Sequence, residues 1–152
     1  MNISILRATV ADAEEIWRMQ REAFAELLER YQDYDTNPAC ETLERVREKV
    51  CGRYYYFICR DGVKVGAICV VDKKDGSKKR ITPIFILSEH RNRGIAQQAI
   101  RLCESIHGTD NWHLDTILQE AGNCHLYEKM GYHATGGQYI VNEKMTLIDY
   151  EK

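Results

Sequence analysis

The chain has 152 residues, 44% hydrophobic and 29% charged, with a formal net charge of −2; that is enough for one core in an ordinary globular protein. The near-neutral charge argues against a nucleic-acid binder, no apolar run approaches the roughly 20 residues that span a bilayer, and Met1 to Arg7 lacks the pattern of a secretion signal, so a cytoplasmic location is expected. Six cysteines (Cys40, Cys51, Cys59, Cys69, Cys103, Cys124) form no C-x-x-C pair, and Cys124-His125 has nothing nearby to complete a zinc site, so neither disulfides nor a metal are expected.

Ile3 to Arg7 alternates over a short run and predicts a first strand. Thr9, with Asp12 three residues on, approximates a capping box. The helix it opens carries Ile16, Met19, Ala23, Phe24 and Leu27 at helical spacing. Asp33 to Asn37 breaks that helix. Pro38 suits the first turn of a second one, with Leu43, Val46 and Val50 inward and Gly52 past its end. Two β-rich runs, Tyr54 to Cys59 and Val63 to Val71, flank Asp61-Gly62 and predict a hairpin. The basic residues Lys73, Lys74, Lys78, Lys79 and Arg80 surround Asp75-Gly76-Ser77 and read as a solvated loop. Ile81 to Leu87 is the next strand. Gly94 to His107 reads as a helix with Ile95, Ala99, Leu102 and Ile106 inward, ended by Gly108. Trp112 to Leu118 predicts a strand, Asn123 to Met130 a short helix closed by Gly131, and Tyr139 to Asp149 terminal strand material.

Helices interleaved with strands predict a mixed α/β fold, the order being β-α-α-β-β-β-α-β-α-β-β in one domain over residues 1–152. Terminal edge strands would also suit pairing into a homodimer.

The segment from Ile84 to Ala96 carries the chemistry. An apolar strand feeds a short turn, and a helix opens at a glycine followed by a small residue. Free N–H groups and the positive end of the helix dipole favour an anion there. Gly94 and Ala96 lack bulk, which lets a diphosphate approach the backbone. Arg91 and Arg93 add charge and donors. The Gly-Lys-Ser/Thr ending of a Walker loop is absent, as is the three-glycine dinucleotide pattern.

Arg91, Gly94 and Ala96 together resemble the first signature of the GNAT superfamily of N-acetyltransferases, led in by Ile84-Phe85-Ile86. Leu126-Tyr127-Glu128-Lys129-Met130-Gly131-Tyr132 resembles its second, and Leu114-Asp115-Thr116 also looks typical. The element order is similar over the whole chain. The resemblance implies a GNAT-like, mostly antiparallel sheet of about seven strands flanked by about four helices. It implies acetyl-coenzyme A as co-substrate, with pantetheine against the backbone of Ile84, Phe85 and Ile86. The diphosphate would lie on N–H groups of Asn92, Arg93, Gly94, Ile95, Ala96 and Gln97. Tyr127 would protonate or hydrogen-bond the departing thiolate.

A base must accept the amine's proton; Glu120 is the first candidate, with Asp115, Glu89 and His113 behind it. Many family members place Asn seven residues before the tyrosine, where this chain has Glu120. Asn123 lies four before it and reads as an N-cap or a pantetheine contact. The loop Tyr31-Gln32-Asp33-Tyr34-Asp35, acidic and aromatic, suits an ammonium group. The acceptor expected is a primary amine, on a small molecule or a protein, attacking directly in a ternary complex. The alternative is a domain that holds acyl-coenzyme A as a sensor or scaffold without turnover.

Overall fold

The computed structural model describes residues Met1–Lys152. Seven strands and four α-helices follow the order β1 (Ile3–Arg7), α1 (Ala13–Tyr31), α2 (Leu43–Gly52), β2 (Tyr54–Arg60), β3 (Val63–Val71), β4 (Lys79–Ile86), α3 (Ile95–His107), β5 (Trp112–Ile117), α4 (Ala121–Lys129), β6 (His133–Asn142) and β7 (Met145–Glu151). One sheet holds every strand in the order β1-β2-β3-β4-β5-β7-β6. Each neighbouring pair is antiparallel except β4 and β5. The sheet has the expected elements and element order.

The hairpin forms where Asp61-Gly62 predicts it. Both residues have positive φ, 50° and 83°, the type I′ geometry whose twist matches that of the flanking strands. The Asp61 carboxylate also accepts the Asn2 N–H at 2.8 Å, tying β1 to the turn.

Side chains alternate across the sheet and feed two cores. On one face Ile16 and Ala23 of α1 and Val46 and Val50 of α2 meet Tyr55, Phe57, Ala67, Cys69 and Phe85. On the other, Ile95, Ala99, Ile100 and Cys103 of α3 and Tyr127 of α4 meet Ile58, Ile68, Ile81, Leu114 and Ile148. Ile95 and Ile100 are fully buried, each burial contributing about 1.5–3 kcal/mol.

Two local expectations are corrected, and one buried residue is unanticipated. Pro38 opens a single 3₁₀ turn, and α2 starts later, capped by the Thr42 hydroxyl accepting from the Arg45 N–H at 3.1 Å. Ile106 is 58% exposed, because Ile100 and Cys103 carry the buried face. Gln20 is fully buried in the α1 stripe. Its amide donates to the Pro38 carbonyl and to Glu41, and accepts from the Tyr55 hydroxyl at 3.0 Å. A buried amide satisfied on both ends packs like an apolar residue.

Candidate active site

β4 and β5 pair only at Lys79 with Trp112 and Arg80 with His113. Beyond that they diverge, leaving the outer edge of β4 without a strand partner. The Leu87 N–H donates back to the Val65 carbonyl on β3 at 2.8 Å. Alternation along a strand then turns the peptide groups of Phe85 toward β3 and those of Ile84 and Ile86 toward the gap. The Ile86 carbonyl agrees, since it accepts from Arg91 Nε at 2.8 Å. Of the three residues expected to offer backbone to the gap, Ile84 faces it, and Ile86 faces it with its N–H alone unspent. Phe85 instead sets its ring edge-on to Phe24, centroids 5.8 Å apart.

The gap opens into a cavity of about 540 Å³, walled by α1, β4, the start of α3 and α4. Before α3, Asn92 and Gly94 take left-handed conformations, φ 63° and 76°. A Cβ on Gly94 would meet only open space, so the glycine answers to its φ and not to crowding. The Gln98 N–H is the first to bond within the helix turn, to the Gly94 carbonyl at 3.2 Å. The N–H groups from Asn92 to Gln97 have no acceptor in the protein. This is the anion-binding arrangement of a helix start.

The two arginines of the turn are placed differently from each other. Arg91 lines the cavity, but its guanidinium donates to the Ile86 carbonyl and, at 2.7 Å, to the Ala23 carbonyl of α1, with Glu26 at 3.7 Å. It ties α1 to the end of β4. Arg93 is exposed and is not on the cavity wall.

On α4, Tyr127 is buried at 7% exposure. Its hydroxyl has no protein partner yet is not sealed, Tyr132 being the buried side chain with an orphaned polar atom. The phenol therefore opens onto the cavity it lines. Burial pushes its pKa up to about 12, which keeps it a neutral donor. Asn123 also lines the cavity, from the first turn of α4. Glu120 holds the cap position before that turn, so Asn123 is not the cap. Its N–H donates to the Glu120 carbonyl at 3.0 Å.

None of the candidate bases lines the cavity. The Glu120 carboxylate accepts two bonds from Arg30, at 2.9 and 3.1 Å, and one from the Tyr31 hydroxyl. Asp115 is paired with Arg80 at 2.9 Å. Glu89 is exposed and accepts from Ser88 at 3.1 Å. His113 is half-buried, and burial, with Arg80 adding to it, pushes its pKa down.

Of the acidic, aromatic loop, Tyr31 and Asp33 are buried. Asp33 accepts from the Thr36 and Asp35 N–H groups at 2.9 and 3.1 Å, which builds the turn. Tyr34 and Asp35 wall a second pocket of about 170 Å³, together with Thr82 and Pro83 of β4. The first cavity ends at Ile84, the next residue.

Sequence reasoning missed the contribution of α1 (Ala23, Phe24, Glu26 and Leu27) and of His90, His125 and Lys129 to the wall. The α1 residues read as ordinary core spacing. His125 and Lys129 stand two residues either side of Tyr127, a spacing that puts them off its face of the helix, so periodicity gave no signal for them.

The acetyltransferase (GNAT) family pattern matches residues 13–132. No curated protein matches the sequence. Among solved structures, a GNAT-family acetyltransferase of Streptococcus agalactiae is similar over 99% of this chain and 95% of its own, at 19% identity and a TM-score of 0.76. The PaiA N-acetyltransferase of Thermoplasma acidophilum, solved with coenzyme A, is similar over 100% of both chains, at 14% identity and TM-score 0.73. YncA, a putative acetyltransferase from Salmonella typhimurium solved with acetyl-CoA, is similar over 99% and 92%, at 16% identity and TM-score 0.69.

Proposed function

Since the chain belongs to the acetyltransferase (GNAT) family, we propose that it transfers acetyl from acetyl-coenzyme A to a primary amine by direct attack in a ternary complex. One observation carries this reading. A single cavity joins the unpartnered amides Asn92 to Gln97, the β4 edge at Ile84 and the N–H of Ile86, and the unpartnered Tyr127 hydroxyl. Diphosphate, pantetheine and thioester would meet those three features in that order. The solved relatives that hold coenzyme A or acetyl-CoA support the choice of co-substrate.

In the reaction the amine nitrogen forms a bond to the thioester carbonyl carbon and the carbon–sulfur bond breaks. The sulfur leaves with the electron pair, and Tyr127 donates a proton or hydrogen bond to it. The proton released by the amine passes to water or to a base beyond the cavity wall. The pocket walled by Tyr34 and Asp35 lies one residue along β4 from the cavity's end, which suits entry of an ammonium group from that side.

Calorimetric titration with acetyl-coenzyme A, followed by release of free coenzyme A in the presence of an amine panel, tests the reading. Binding is expected in the wild type and is expected to be lost in Ala96→Trp, which fills the approach to the amides. A folded wild type that binds no acetyl-coenzyme A would overturn it.

A further inference from the structure

His90 stands on the cavity wall beside Arg91 and Asn92, at the end of the 3₁₀ turn Ser88–His90 that precedes the free amides. Its backbone is fixed by the N–H donating to the Leu87 carbonyl at 3.0 Å. Its ring nitrogen Nδ1 lies 3.3 Å from Nη1 of Arg60. A guanidinium has donors and no acceptor, so in this contact Nδ1 accepts and carries no hydrogen. The imidazole hydrogen is then on Nε2, which has no partner in the protein. Arg60 is itself held by the sheet, as the last residue of β2 paired with Ile3 and Val63.

We infer that His90 is a binding residue for the diphosphate of coenzyme A, donating its Nε2–H to a phosphate oxygen, and that Arg60 is the positioning residue that sets this tautomer. The inference rests on the acetyl-coenzyme A reading above. It adds a side-chain donor to a set of backbone amides, next to them in sequence and on the same wall. Arg91 spends its donors on two carbonyls, and Arg93 is exposed and not on the cavity wall. A hydrogen bond to a charged oxygen is stronger than one between neutral groups, so a single well-aimed imidazole is a measurable part of the affinity.

The test has two readouts. Calorimetric titration of coenzyme A and of dephospho-coenzyme A compares the wild type with His90→Phe, His90→Gln and Arg60→Met. His90→Phe is expected to weaken both ligands alike, by about tenfold. His90→Gln keeps an N–H donor and is expected to recover most of that loss, while Arg60→Met is expected to fall between. Nitrogen-15 spectra of the imidazole in the ligand-free protein are expected to show hydrogen on Nε2, with the preference lost in Arg60→Met. Unchanged affinity in His90→Phe would overturn the inference while leaving the acetyltransferase reading intact. So would a loss confined to coenzyme A and absent with dephospho-coenzyme A, which would put His90 on the 3′-phosphate. Hydrogen on Nδ1 overturns it without reference to any ligand. A wild type that binds neither ligand overturns both readings together.

Discussion

The Tyr127 hydroxyl ends in the cavity on a ring packed edge-on against Tyr132, centroids 5.9 Å apart. Burial lifts its pKa from the ordinary 10.0 to about 12. The sign follows directly: the oxygen keeps its proton through the range where an exposed tyrosine ionises. The wild-type kcat is therefore expected to show no descending limb near pH 10. Tyr127→Phe is expected to lower kcat about a hundredfold with cofactor affinity unchanged, measured by coenzyme A release and by titration. Tyr132 offers a contrast five residues on, past the end of α4. It is 3% exposed, and its hydroxyl is buried without a partner. The oxygen is one that nothing in the protein satisfies. Tyr132→Phe is expected to stabilise the fold by about 1 kcal/mol, read from urea unfolding. The motif singles out Tyr127, but only the surroundings show that its hydroxyl is open to the cavity while that of Tyr132 is sealed and orphaned.

Elements set the cavity's geometry through a few close approaches. Gly66 of β3 lies against the end of β4, where a Cβ would come 2.1 Å from the Phe85 carbonyl oxygen and 3.1 Å from the Ile86 Cα. Both obstacles are backbone, so neither can rotate away. Gly66→Ala is expected to cost about 1–3 kcal/mol and to weaken coenzyme A binding as well, because relief requires β4 to shift at the residues that face the gap. Thermal unfolding and titration on the same variant would check the pair of effects. Nothing around Gly66 in the sequence flags it. The requirement arises from pairing with residues some twenty positions on, whereas Asp61-Gly62 is legible because its turn is local.

At the scale of the whole molecule, α1 is fastened at two points across the cavity. Arg91 grips its middle through the Ala23 carbonyl. Its last turn is tied to the start of α4 by Arg30 and Tyr31 on Glu120, and to the end of β6 by Asn142 on the Tyr31 carbonyl at 3.0 Å. These ties hold the α1 wall against the splayed strands. Glu120→Gln is expected to speed amide exchange in the last turn of α1 and to lower the melting temperature, with coenzyme A affinity kept. A variant with unchanged stability and exchange but collapsed kcat would make Glu120 the base after all.

The sequence by itself determined the order of elements, the hairpin, the helix that opens at Gly94, and the segments that carry Ile84, Ile86 and Tyr127. Each rests on local physics: period-3.6 or period-2 burial, a turn that demands positive φ, or a helix start with free amides. Tertiary structure decided what those segments do with their polar groups. It turned the Phe85 peptide toward β3, spent Arg91 on carbonyls, left Arg93 outside, moved the α4 cap from Asn123 to Glu120, and brought His90 and α1 to the wall. Such assignments depend on which partner reaches a donor first across long sequence separations. That competition is settled by packing, and no spacing along the chain records its outcome.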